Sequence, residues 1–193
     1  MNSVPERLTW AVRNLDPAPG DRVLEIGCGR GVAVALLCER LTSGTVTAID
    51  RSDTAVEAAR RRNAESVAAG RAVIRVAALE EADFPDASFD RILAVDVNLF
   101  WVRSPGPPES LDREPAALRR WLAPGGTLCL CWEPPAGRRA EEIAGKVEPV
   151  LVSHGFVTEV RTGATAGGSS LVCVRATAPT SAGEGNLGGL GDP

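Results

Sequence analysis

Three glycines and two carboxylates carry the first chemistry legible in this chain. The run Val23-Leu24-Glu25-Ile26-Gly27-Cys28-Gly29-Arg30-Gly31 passes from apolar residues suited to a strand covered on both faces into glycines at alternate positions. Glycine lets the backbone turn sharply and approach a ligand with no Cβ in between. Val32 to Leu41 then reads as a helix whose first N–H groups would point at the same ligand. This is the layout of a nucleotide-cofactor site. Its spacing, G-x-G-x-G, is one residue shorter than the G-x-G-x-x-G that wraps a pyrophosphate in dinucleotide-binding folds. Asp50 lies 19 residues after Gly31, at the end of a β-branched run, Thr45 to Ile49, that reads as a second strand. Ligands of open α/β sheets sit beyond the strand C-termini, where such a carboxylate accepts hydrogen bonds from both ribose hydroxyls. The alternative is a loop aspartate that caps the next helix.

The elements that would position these residues follow in order. Ser3-Val4-Pro5-Glu6 has the form of a capping box, and Val4, Leu8, Ala11, Val12 and Leu15 have helical spacing. After the glycine loop, its helix and the second strand, Ser52 can cap a helix running to about Ala69 and stopped by Gly70. Ala72 to Ala77 and Phe89 to Val97 read as the third and fourth strands. The prolines of 103–110 exclude regular structure there. A short helix from Pro115 to Leu122 is stopped by Pro124-Gly125-Gly126, and Thr127 to Trp132 is a fifth strand. Ile143, Val147, Val150 and Leu151 mark a further helix with Pro149 inside it. Phe156 to Arg161 and Ser170 to Arg175 form an antiparallel pair. Strands alternating with helices predict a parallel α/β sheet with helices on both faces.

At 193 residues and 44% hydrophobic content, one domain with a real core is expected. It is placed at residues 1–176, with 177–193, rich in Gly, Ala, Thr, Ser and Pro, as a disordered tail. A net charge of -4 argues against a dedicated nucleic-acid binder. The arginine runs at Arg60 to Arg62, Arg119 to Arg120 and Arg138 to Arg139 read as solvated faces. Five cysteines without zinc spacing and a single histidine predict buried reduced thiols and no metal site. No apolar stretch reaches 18 residues and no secretory leader is visible, so a cytoplasmic protein without membrane contact is expected.

With Glu25 two places before the first glycine, Glu25 to Gly31 resembles the first motif of class I S-adenosylmethionine-dependent methyltransferases. Phe84-Pro85-Asp86-Ala87-Ser88-Phe89-Asp90 is similar to the stretch before strand four in the branch that includes the quinone-biosynthesis enzymes, and Trp121-Leu122-Ala123-Pro124-Gly125-Gly126 to the turn before strand five. The resemblance spans roughly residues 23 to 132. It implies a Rossmann-like seven-stranded, mostly parallel sheet of order 3-2-1-4-5-7-6 with helices on both faces. It implies S-adenosylmethionine as cofactor and S-adenosylhomocysteine as product. Glu25, Gly27, Cys28, Gly29 and Gly31 would seat the methionine part, Asp50 the ribose and Arg51 the adenine edge. The family's adenine-binding acid falls at Ala78, followed by Leu79. Either Glu80 substitutes, or the Leu79 backbone and apolar contacts hold the ring, or affinity is low. Val95 would contact the cofactor, and the segment Asp96 to Trp101 after it lies where acceptor would meet the methyl group. Asn98 could orient an acceptor and Trp101 offer a π face, or the aromatic residues pack the end of the sheet. Glu133 after strand five is a base, an anchor or a loop acid.

A sulfonium methyl is already activated, so positioning supplies much of the rate, and a base is needed only where the acceptor must lose a proton. Methyl transfer to a small-molecule acceptor is therefore the expected activity, with the catalytic residues and the oligomeric state unassigned. A nicotinamide oxidoreductase ranks low, given the short glycine spacing and the absence of tyrosine. The second reading is a catalytically silent methyltransferase-like domain that binds cofactor or a partner protein.

Overall fold

The computed structural model describes residues 4–97, 113–135 and 137–180. Strands β1 (Arg22–Ile26), β2 (Thr45–Asp50), β3 (Ala72–Val76), β4 (Phe89–Val95) and β5 (Leu122–Trp132) pair in parallel. β7 (Ser170–Thr177) lies between β5 and β6 (Val157–Ala164) and runs antiparallel to both. The sheet order is β3-β2-β1-β4-β5-β7-β6, as expected.

Alternate residues of the central strands enter two separate cores. Leu24, Ile92, Leu128 and Val174 pack under α5 (Arg113–Trp121) and α6 (Ala140–Ser153) through Leu118, Trp121, Val147 and Leu151. Val23, Val46, Leu93 and Cys129 pack under α1 (Glu6–Leu15), α2 (Val32–Arg40) and α3 (Asp53–Arg62) through Leu15, Leu37 and Val56. Helices on both faces explain why these strands read as continuous apolar runs. The five cysteines are buried and free.

Several boundaries move. The helix expected from Ser52 to Ala69 divides into α3 and α4 (Ala64–Ala68) at Asn63, whose buried side-chain amide donates to the carbonyls of Gly31 and Ala59, both at 2.9 Å. The fourth strand stops at Val95 rather than Val97, because Asp96 turns out of it with φ +57°. The fifth begins at Leu122, which pairs with Phe89 ahead of a register shift. β6 and β7 outrun their expected ends, and Ala178 N–H donates to Gly126 O at 2.9 Å. Ordered backbone thus continues past residue 176, and residues 181–193 lie outside the described ones. At α1 the cap is Pro5, and Glu6 accepts the Ala166 N–H at 2.6 Å instead of closing a capping box.

The stretch before β4 is structural. Phe84 meets Phe89 and Trp121 edge to face at 5.0 Å, with the Arg75 guanidinium 4.9 Å from its ring centre. Arg120 pairs with Asp83 at 2.8 Å and Asp86 at 3.3 Å.

Candidate functional site

The glycine loop is held by backbone bonds. Gly27 and Cys28 N–H both donate to Ile49 O at 2.8 and 3.0 Å, and Gly31 N–H donates to Cys28 O at 2.8 Å. Gly27, Gly29 and Gly31 have φ of +71°, +51° and +71°, a region costly for other residues. Their surroundings differ. A Cβ at Gly27 would lie 2.7 Å from Val97 Cγ2, and one at Gly31 2.8 Å from Ala59 Cβ and 2.9 Å from Ala59 Cα. At Gly29 the space is open. α2 starts without a side-chain cap, which leaves its first N–H groups for a ligand.

Asp50 ends β2 beside this loop. Its Oδ2 accepts the Gly29 N–H at 2.8 Å and its Oδ1 the Ser52 N–H at 2.9 Å. The cap of α3 is Ser52, whose hydroxyl accepts the Ala55 N–H at 3.3 Å. Asp50 therefore braces the loop, with a lone pair left on each oxygen. Glu25 is only 4% exposed, and among the described residues its Oε2 has no hydrogen-bond partner. Burial, and then repulsion from Asp50, pushes this carboxyl up to about 8. Burial first, and then the two carboxylates, pushes the Cys28 thiol up to about 12, which leaves it inert as a nucleophile.

A cavity of about 310 Å³ opens at the C-terminal ends of β1, β2 and β4, where the sheet order reverses. Of the residues singled out in the sequence, Gly27, Asp50, Arg51, Ala78, Leu79, Glu80 and Val95 line it. Glu25, Cys28, Gly29 and Gly31 are not among the residues that line it. Ile26, Ile49, Ala77, Asp96 and Val97 complete the wall. Ala78 precedes a single 3-10 turn, Leu79–Glu81, that carries the Glu80 side chain to the rim.

A second cavity, about 510 Å³, adjoins through Asp96 and is bordered by Glu133, Pro134, Pro135 and Arg138. Arg7 of α1 reaches this rim, with Nε 2.8 Å from Asp96 Oδ2 and Nη1 3.7 Å from Glu133 Oε2. Asp96 Oδ1 accepts the Glu133 N–H at 3.0 Å, and Trp132 Nε1 donates to Val97 O at 3.0 Å. Asn98 and Trp101 lie outside the described residues. Arg7 and Asn63 escaped the sequence reading because each looks like an ordinary polar residue of an amphipathic helix. A side chain aimed at a loop distant in sequence leaves no local pattern.

A family model described as a methyltransferase domain matches residues 23–126, from the first residues of β1 through the turn inside β5. The chain belongs to the class I S-adenosylmethionine-dependent methyltransferase family. It is 33% identical over 123 residues, 63% of this chain and 49% of the other, to the ubiquinone/menaquinone biosynthesis C-methyltransferase of Geotalea daltonii. It is 37% identical over 138 residues, 70% of this chain and 56% of the other, to the protein-L-isoaspartate O-methyltransferase of Methylorubrum populi. The chain thus spans about half the length of the curated relatives it matches. In fold it is similar to an S-adenosylmethionine-dependent methyltransferase from Aquifex aeolicus, with TM-score 0.67, 20% identity and 89% of each chain covered.

The residues present in this chain fit the family's cofactor. The cradle has open space at Gly29, uncapped helical N–H groups, a carboxylate at the end of β2 and an apolar shelf at Ala77 to Leu79. Among the described residues no group of side chains is arranged to hold a metal ion, and no helix is long and apolar enough to cross a membrane.

Proposed function

We propose that this protein transfers a methyl group from S-adenosylmethionine to a small-molecule acceptor. The observation that carries the reading is the cavity at the switch point of the sheet, lined by Gly27 of the glycine loop and by Asp50, which braces that loop at Gly29. In this assignment the loop from Glu25 to Gly31 and the start of α2 seat the methionine part. The free lone pairs of Asp50 accept from the ribose, Arg51 flanks the adenine edge, and Ala77 to Glu80 form the shelf beneath the ring. The bound cofactor supplies a methyl group already activated on a sulfonium. The protein's work is then to orient the acceptor and exclude water, through Val95 to Val97 on one side and Glu133 on the other. The second cavity adjoins the first at Asp96, which gives an acceptor a place beside the methyl group. Among the described residues the bases that border the second cavity are the carboxylates Asp96 and Glu133, and no histidine does. The single histidine, His154, caps α6 with Nδ1 2.8 Å from Val150 O. An acceptor that needs no deprotonation, or one deprotonated by Glu133, suits this site.

A second reading, cofactor binding without turnover, is favoured by one observation. Ala78 stands where the family's adenine-binding acid falls, and among the described residues of the shelf Glu80 is the one that brings a carboxylate. Calorimetric titration with S-adenosylhomocysteine, S-adenosylmethionine and NADH decides the cofactor, and a labelled methyl donor with pooled metabolites then decides turnover. Binding of the sulfur ligands that weakens about 100-fold in Asp50→Ala is expected, in line with a lost pair of hydrogen bonds to a charged group. Preference for NADH would overturn the assignment, and binding without labelled product would favour the silent domain.

A further inference from the structure

The two edges of the sheet are finished differently. At the β3 edge Arg60 donates from Nε and Nη2 to the Ile74 carbonyl at 2.9 and 2.7 Å, so a backbone acceptor of that strand is already taken. β3 is also short, five residues, and carries the charge of Arg75. Charge, brevity and side-chain cover are how sheets blunt an edge.

β6 lacks these devices. It is eight residues long, has no proline, and its two charges, Glu159 and Arg161, cancel. Val157 is 70% exposed and Val160 39%. Among the described residues its side chains bond to Glu148 from Thr158 and to each other from Arg161 to Glu159, and none caps its backbone.

The strand is also complementary to itself. Around Val160 it reads Thr158-Glu159-Val160-Arg161-Thr162. An antiparallel second copy centred on Val160 sets valine against valine, each glutamate against an arginine and each threonine against a threonine. Residues directly opposite in such a pair share a face with Cβ atoms about 5 Å apart, and these pair types are stabilising ones. The same register puts exposed Val157 of one copy opposite Gly163 of the other. Trp10 packs over that glycine so closely that a Cβ there would lie 2.6 Å from its Nε1, so the valine would meet an indole.

We propose that β6 is a self-association edge, on which two copies of this chain pair antiparallel across a two-fold axis through Val160 to make one continuous sheet. Light scattering and sedimentation of the full chain are expected to give twice the 20.2 kDa monomer mass. Glu159→Arg alone, or Arg161→Glu alone, sets like charges opposite each other and is expected to raise the dimer dissociation constant on the order of tenfold or more. Mixing the two single variants restores opposite charges at every pair, so a dimer should return, as it should in the double exchange. Both side chains are solvent-accessible, and unchanged thermal unfolding of each variant checks that folding is intact. A wild-type monomer at every concentration would overturn the proposal, as would single variants as dimeric as wild type or a mixture that stays monomeric. A strand from another protein on this edge would appear as a wild-type monomer.

Discussion

The C-terminal rim of the sheet is built in two ways. Over β1 and β2 it is made of backbone: three glycines at positive φ, amides bonded to Ile49 O, and one carboxylate bracing Gly29. Over β4 and β5 it is made of side chains brought from far along the chain, with Arg7 tying Asp96 to Glu133 and the Trp132 indole tied to Val97 O. The first half is preorganised by conformations that only glycine tolerates cheaply, and the second by solvated charges that can re-pair. A rigid half and an adaptable half follow from that difference.

Mutations should separate the halves by size of effect. Gly31→Ala meets both the positive φ and the Ala59 backbone, so a loss of about 2–4 kcal/mol in urea unfolding is expected, with cofactor-analogue binding falling alongside. A loss under 1 kcal/mol would show that the loop relaxes and would erase the contrast.

Glu25 tests the floor of the same half through pH. Its carboxyl is raised in the folded state from an ordinary 4.5 to about 8, so the native state holds a proton that the unfolded chain releases. The stability this contributes is fully present below pH 4.5 and is lost as pH rises through about 8. Melting temperatures of the wild type should therefore fall across that window more steeply than those of Glu25→Gln. Parallel curves would mean that Glu25 finds a partner and ionises normally.

Arg7→Ala should matter least to the fold. Its ion pairs are partly exposed, and a loss of roughly 0.5–1 kcal/mol, shrinking in high salt, is expected from thermal unfolding. If that variant abolished S-adenosylhomocysteine binding as Gly31→Ala does, the β4–β5 half would belong to the rigid cradle and the division would fail.

The parts legible in the sequence are those whose causes are local. Glycine spacing, the acid after the second strand and the alternation of apolar runs are short-range patterns, and from them came the parallel α/β sheet and the lining positions Gly27 and Asp50, while the strand order and Leu79 came from the resemblance of the motifs to a known family. Phe84 to Asp90 was readable as a motif, but that Phe84 serves the core through Trp121 appears only with the helix in place. Asn63 breaks a helix that propensity would continue, because its amide is better used on Gly31 O across 32 residues.

The amino-acid sequence by itself therefore determined the fold class and the glycine-built cradle, since φ preferences and side-chain periodicity act over a few residues, and its motifs carried the resemblance that implied the cofactor. Tertiary structure alone decided that Glu25 is buried beside Asp50, that Arg7 spans Asp96 and Glu133, and that the two sheet edges end differently. These depend on which distant side chains meet after packing, and no local spacing encodes such meetings.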